Sequence, residues 1–360
     1  GFLTTQKLGD LSISRPKSRL SWGIELPFDK DYVTYVWFDA LVNYVSALEY
    51  KRTDALVDRF WPANMHLVGK DILTTHAVYW STMLMALDMK LPESIFAHGW
   101  WTVDGEKMSK SRGNVVDPNK MIDEFGADAF RYFLLREVPF GQDGDFSQDA
   151  MVARINSDLA NGIGNLLSRT LTMIERFSEG KIPDRGSPLQ IGTGLEWPIA
   201  EAEESLPAIS NGLLSELRFK EHLESIWSLA SFCDQLIEGS KPWNLAKKPE
   251  TRPELNNVLN TLAKALRTLC IHTYPYIPNM AAEMSKQLGL SLDFTKPLLT
   301  ETYASNSIVP GTKVQKGVAL LSRIESKPQG AKTVSDTPTS PQPTAETPAP
   351  TAAMPQTLPP

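Results

Sequence analysis

The order of apolar and polar positions changes character near residue 150. Upstream of that point, short β-branched and aromatic runs alternate with stretches of helical spacing. Val33 to Trp37 reads as a strand, and Asp39 as the N-cap of a helix from Ala40 to about Tyr50. The cycle repeats at Met65 to Val68, where Gly69-Lys70-Asp71 turns the chain into a helix holding His76 and Trp80. Ile95 to His98 predicts a third strand, followed by an Asp104-Gly105 hairpin. Strands alternating with helices imply a parallel α/β sheet, with ligands at the carboxyl ends of its strands.

Downstream, apolar residues recur at intervals of three and four over Met151 to Phe177, Leu217 to Ile237 and Leu255 to Ile271. Leu255, Val258, Leu259, Leu262, Leu266 and Leu269 fall on one stripe. This is the pattern of a helical bundle. Residues 326–360 hold 9 of the 26 prolines and no aromatic residue, which predicts a disordered Pro/Thr-rich tail.

Composition narrows the function classes. With 360 residues, 42% of them hydrophobic, the chain has room for two domains. It has no apolar run of membrane-spanning length, and no membrane partner is expected. A net charge of -6 argues against a nonspecific, charge-driven nucleic-acid coat, but leaves room for a local RNA-binding patch. Cys233 and Cys270 form neither a disulfide framework nor a C-x-x-C pair, so zinc is not expected in this portion. A reducing, cytoplasmic setting fits. The chain opens Gly1-Phe2-Leu3 without an initiator Met or a visible secretory signal, and the natural N-terminus is expected upstream.

The densest chemistry lies in Asp104-Gly105-Glu106-Lys107-Met108-Ser109-Lys110-Ser111-Arg112-Gly113-Asn114. Small polar residues and glycine let backbone approach a ligand, and two lysines three apart can place ammonium groups on a polyphosphate. A second constellation is aromatic. Ile72, His76 and Trp80 share one helical face, and Trp37, Ala40, Leu41 and Tyr44 share another. Such a cage suits an unbranched thioether, whose sulfur packs well on rings, although an aromatic stripe is also what an ordinary core looks like. Asp71 reads equally as a ribose or amine acceptor and as a helix cap. In the bundle, Asn161, Asn165 and Arg169 are spaced i, i+4, i+8, as either a solvated face or a stripe that reads unstacked bases. Trp243, among Lys241, Lys247, Lys248 and Arg252, is either a packing anchor or a base-stacking platform.

Lys107-Met108-Ser109-Lys110-Ser111 resembles the KMSKS signature of class I aminoacyl-tRNA synthetases. Tyr35-Val36-Trp37-Phe38-Asp39-Ala40, Val68-Gly69-Lys70-Asp71-Ile72 and Phe96-Ala97-His98-Gly99-Trp100-Trp101 resemble, more narrowly, methionyl-tRNA synthetases of the bacterial type. The resemblance runs from about Gly1 to about Glu325. It implies a ligase that uses ATP, with Mg²⁺ on the phosphates, to form methionyl-adenylate and pass methionine to tRNA(Met). Under it Lys110 is catalytic with Lys107 in support, and Lys107, Met108, Ser109, Lys110, Ser111, Asp71 and His98 bind ATP. Trp37, Ala40, Tyr44, Ile72, His76 and Trp80 bind L-methionine, and Asn165, Arg169 and Trp243 read the anticodon. Arg15 matches an active-site segment, with a surface salt bridge as the plainer reading.

The implied organisation is the C-terminal half of a Rossmann-type catalytic domain over residues 1–98, a KMSKS loop and connecting segment over 99–150, a helical anticodon-binding domain over 151–325 and the tail over 326–360. Two pocket positions depart from many relatives, Thr75 where an aromatic is common and Ser81 where proline is. The family's His-Ile-Gly-His motif is missing: His66, His76, His98, His222 and His272 include no such pair. The chain is therefore expected to be a partial sequence, inefficient at adenylate synthesis by itself, and a monomer. The alternatives are another class I aminoacyl-tRNA synthetase and a noncatalytic tRNA-binding protein.

Overall fold

Short strands and short helices occupy the first part of the chain, and long helices the second. The computed structural model describes residues 12–52, 56–188, 194–296 and 308–325. Chain contacts separate residues 1–324 from residues 325–360, and the elements named below all lie in the first of these units. The tail predicted over residues 326–360 lies outside the described residues.

Strand β1 (Ser14–Pro16) pairs antiparallel with β2 (Tyr32–Thr34). The expected strand to Trp37 stops at Thr34, and helix α1 (Val36–Ser46) starts four residues ahead of expectation. Asp39 consequently sits in the first turn of α1 and does not cap it. The early start has a physical cause. The helix buries Leu41 and Val45, each 2% exposed, against Trp80 and Leu84. A short helix α2 (Val57–Phe60) leads to β3 (His66–Gly69), which pairs in parallel with β4 (Ile95–His98).

Between β3 and β4 the expected single helix is three pieces: a 3-10 turn (Lys70–Ile72), a π-helical segment (Thr75–Trp80) and helix α3 (Ser81–Ala86). Beyond β4, β5 (Trp101–Val103) and β6 (Glu106–Lys107) form the expected hairpin. Its Asp104 and Gly105 have φ of 53° and 74°, the left-handed pair that a tight two-residue hairpin turn requires. Strand β7 (Gly144–Phe146) joins β5 in parallel. One continuous parallel sheet is not seen among the described residues, where the strands fall into three small sheets. The hairpin is one reason, since it folds the chain back and gives one edge of β5 to an antiparallel partner.

Helices α4 (Pro118–Phe125) and α5 (Ala127–Glu137) connect to the second part. Asp117 caps α4 by accepting the Asn119 amide at 2.9 Å, with Pro118 at its first position. The predicted helix over 151–177 is one rod with an internal change of winding: α6 (Gln148–Arg154), a π-helical segment (Ile155–Gly164) and α7 (Asn165–Phe177). Gly164 fits this wide turn because a Cβ there would lie 2.8 Å from the Leu159 carbonyl oxygen. The indole of Trp227 donates to the Asp158 carbonyl at 3.3 Å, supplying a partner from outside the rod.

Helices α8 (Trp197–Ser215), α9 (Phe219–Ser240), α10 (Pro242–Leu245), α11 (Arg252–Thr273) and α12 (Pro278–Gln287) complete the bundle. The stripe Leu255, Val258, Leu259, Leu262, Leu266 and Leu269 is 0% exposed, as its spacing predicts. Its core is continuous with Phe125, Phe130, Phe133 and Phe146 of the preceding segment. No helix of the described residues is long and apolar enough to cross a membrane.

Candidate functional site

Two side-chain clusters form near the carboxyl ends of β3 and β4. The first is aromatic. Tyr44 reaches from α1 to the π-helical segment, where its hydroxyl lies 2.9 Å from Nε2 of His76. Nδ1 of His76 is 2.9 Å from the Ile72 carbonyl, which can only accept. In the tautomer that donates there, Nε2 accepts from the Tyr44 hydroxyl. The Trp37 ring stands edge-on to His76 at 6.4 Å, and Tyr44 lies 5.7 Å from Trp80. Ala40 is exposed one turn before Tyr44 on α1. Five of the predicted pocket residues are thus joined by contacts, and Ala40 shares the helix of Trp37 and Tyr44. His76 and Trp80 are buried, while Trp37, Tyr44 and Ile72 are partly open. Burial raises the Tyr44 hydroxyl above its ordinary pKa, which keeps it protonated and able to donate.

The second cluster is charged. Lys107 Nζ sits 4.4 Å from the centre of the Trp100 ring, and Lys70 Nζ also lies 4.4 Å from it. Lys70 pairs with Asp143 at 2.5 Å, and Asp143 accepts the Trp100 backbone N–H at 2.8 Å. The Lys70 hydrogen bond, followed by the Trp100 N–H, holds the Asp143 carboxyl below its usual range. The Trp100 indole N–H points at Asp71 at 3.5 Å, the limit of hydrogen-bond reach. Asp71 does not cap its turn, whose N-cap is Gly69 without a side-chain bond. Asp71 and Lys107, predicted separately as ATP contacts, therefore meet through one indole.

The loop after Lys107 is closed on itself. Asn114 accepts the Ser109 amide at 2.8 Å and donates to the Lys107 carbonyl at 3.3 Å, and the Ser109 and Ser111 hydroxyls are 2.8 Å apart. Glu106 pairs with Arg112 at 2.7 Å. Met108 packs on the helical core. Lys110 opens a 3-10 turn that ends at Arg112. At the end of β4, Nδ1 of His98 lies 2.9 Å from the Gly99 carbonyl, and its ring lies 6.4 Å from Phe140. Among the described residues Arg15 has no salt bridge: its guanidinium lies 4.0 Å over the Tyr35 ring and donates to the Ser14 carbonyl.

Asn165 and Arg169 lie on α7, away from these clusters in sequence. Asn161 and Asn165 are exposed, while Arg169 is half-buried and pairs with Asp234 and Glu238 of α9. Trp243, on α10 after the left-handed turn at Lys241, is 41% exposed.

Three participants escaped the sequence reading. Trp100 and Asp143 organise the charged cluster, and His66 on β3 accepts the Trp80 indole N–H. The aromatic pair after His98-Gly99 was the available signal for Trp100.

The family model for class I tRNA synthetases (M) matches residues 2–171. The methionine–tRNA ligase of Caldanaerobacter subterraneus subsp. tengcongensis is 45% identical over 319 residues, covering 88% of this chain and 49% of the relative. That of Clostridium acetobutylicum is 44% identical over 319 residues, covering 88% and 48%. Among solved structures, Mycobacterium tuberculosis methionyl-tRNA synthetase in complex with methionyl-adenylate aligns with a TM-score of 0.78 at 36% identity, covering 88% of this chain and 61% of that one. The chain spans about half the length of the curated relatives it matches. Over residues 2–171 the chain is similar to the class I tRNA synthetases. Within that class, the similarity over 88% of the chain is to methionine–tRNA ligases.

Proposed function

We propose that this chain is the portion of a methionine–tRNA ligase that holds methionine, one side of the ATP site and the anticodon of tRNA(Met). The observation that carries the reading is that the turn after β3 serves both clusters: Ile72 and His76 belong to an aromatic, partly open cage, while Lys70 and Asp71 meet Lys107 at the Trp100 ring. In the reaction, the carboxylate of methionine attacks the α-phosphorus of ATP and pyrophosphate leaves. The terminal ribose hydroxyl of the tRNA then takes the methionyl group, releasing AMP.

Each cluster has a task in that sequence. Trp37, Ala40, Tyr44, Ile72, His76 and Trp80 receive the thioether side chain, with sulfur against rings. Asp71 and His98 face the nucleotide with Met108, Ser109 and Ser111 of the loop. Negative charge grows on the departing pyrophosphate, so a cation fixed there lowers the barrier. That task falls to Lys110, with Lys107 beside it, in a loop able to close on the nucleotide. Mg²⁺ enters with ATP, held chiefly by phosphates and water.

The domain reading follows the same lines. Residues 1–98 supply the later half of a Rossmann-type domain, 99–150 the loop and connector, and 151–325 an anticodon-binding bundle. In that bundle Asn165 and Arg169 meet bases and Trp243 stacks on one. The whole acts as a cytoplasmic monomer.

The test is Lys110→Ala in the full-length enzyme. Methionine-dependent ATP–pyrophosphate exchange should fall by about 10²- to 10³-fold, the usual cost of removing one preorganised charge partner, with tRNA affinity nearly intact. Exchange at the normal rate would remove the loop from the mechanism.

A further inference from the structure

Reading Tyr44, His76 and Trp80 as the methionine cage leaves one buried polar side chain beside it without a task. His66, 4% exposed, projects from β3, and its Nε2 lies 3.1 Å from the Trp80 indole nitrogen. An indole N–H can only donate, so Nε2 of His66 accepts and the ring carries its proton on Nδ1. The same ring lies against Tyr44 with centroids 4.2 Å apart and a tilt of 35°, and it stands 6.1 Å from His76. Trp61 closes the other approach, 6.0 Å from His66 and 6.1 Å from Trp80. His66 therefore touches two walls of the cage at once, one through a hydrogen bond and one through ring contact.

Trp80 is 0% exposed, so its N–H has no water to turn to. Take away the acceptor on His66, and a buried donor is stranded. The indole then gains by rotating toward any other acceptor, and the wall moves with it. Tyr44 offers no replacement, because its hydroxyl is engaged with His76.

We propose that His66 is a positioning residue for methionine recognition: it fixes the Trp80 indole and the Tyr44 ring at the separation that an unbranched thioether fills. It acts through those two side chains and does not touch the reacting atoms. The inference rests on the reading of the cage as the methionine site. It predicts a defect confined to the amino acid, because Lys107, Trp100 and Asp71 are held by one another and by Lys70 and Asp143, not by these rings.

The test is steady-state pyrophosphate exchange in the full-length enzyme, with KM measured separately for methionine and ATP. His66→Leu should raise the methionine KM by roughly tenfold, the expected effect of one unsatisfied buried donor. The ATP KM should stay within about twofold. His66→Gln should recover most of the loss, since its Oε1 reaches the place of Nε2 and accepts the indole N–H. His66→Asn, one bond shorter, places its acceptor near Nδ1 and should not.

An unchanged methionine KM in His66→Leu would overturn the proposal. So would equal behaviour of the Gln and Asn variants, which decide the matter even if the Leu variant fails to fold. A wild-type enzyme with no methionine-dependent exchange would sink the cage reading itself, and the positioning role with it.

Discussion

The two regions of this chain bury their apolar side chains in opposite ways. In the helical region a continuous core runs from Phe125 through Leu159, Leu229 and Leu262 to Met284. In the α/β region the described residues form one small cluster of buried apolar side chains, Leu41, Val45, Trp80 and Leu84. Large apolar residues stand open elsewhere in the same region, among them Trp22 at 75%, Phe28 at 78% and Met85 at 67% exposed. The bundle is organised by burial. The α/β region, where the candidate chemistry lies, is organised by directional contacts: ring against ring, ammonium over indole and hydroxyl to imidazole. The difference teaches that stability and function are carried here by different forces in different places, so perturbations should separate them.

The largest stability effect should come from the bundle. Leu262→Ala on α11 removes a fully buried side chain and should cost about 2–5 kcal/mol in denaturant unfolding of the chain. A cost under about 1 kcal/mol would show that the bundle core collapses around the gap and is not tightly packed.

Acid should act on the same region. His222 and His272 are 0% exposed and linked through Ser210, with His222 also bonded to Tyr276 at 2.7 Å. Burial depresses His222 to about 4, and burial with the neighbouring His222 depresses His272 to about 3. Both values lie below those of the unfolded chain. The unfolded state therefore binds more protons as pH falls, and the stabilising contribution, full above about pH 6.5, is lost toward pH 4. The loss should approach about 1.4 kcal/mol per pH unit for each histidine, read from urea melts across that range. His222→Gln should flatten the profile.

Trp243→Ala probes recognition within the bundle. It should weaken tRNA binding by about 1–3 kcal/mol, measured as a dissociation constant, and leave pyrophosphate exchange unchanged. An unaltered dissociation constant would return Trp243 to a packing role. The smallest effect should be Met85→Ala in the α/β region, within about 0.5 kcal/mol in the same unfolding assay, because the side chain is open. A larger loss would mean that the exposed apolar face is already covered in solution.

What the sequence made legible was local. Strand β4 at Ile95–His98, the Asp104-Gly105 hairpin and the leucine stripe of α11 follow from period and turn chemistry, which depend on near neighbours. The start of α1 at Val36 was not legible, because it depends on Trp80 and Leu84 lying beneath it. Helix α8 carries Pro207 inside it, a residue that reads as an interruption until tertiary packing fixes the backbone. In the candidate site, the Tyr44–His76 bond spans 32 residues and the Trp100–Asp143 bond 43. Face periodicity proposed the first, since both residues lay on predicted inward faces. Nothing in local pattern could propose the second, nor the choice of His66 as the acceptor for Trp80. Acceptors are selected by where the chain crosses itself.

The wide winding at Ile155–Gly164 spends more residues on each turn than the α-helix on either side of it. Counting by 3.6 from Gln148 therefore misplaces the side chains that follow. Asn161 lies inside the wide segment and Asn165 and Arg169 beyond it, so an evenly spaced polar stripe in the sequence is a bent one on the rod. The pairing of Arg169 with Asp234 and Glu238 records the direction the rod faces once its winding has changed.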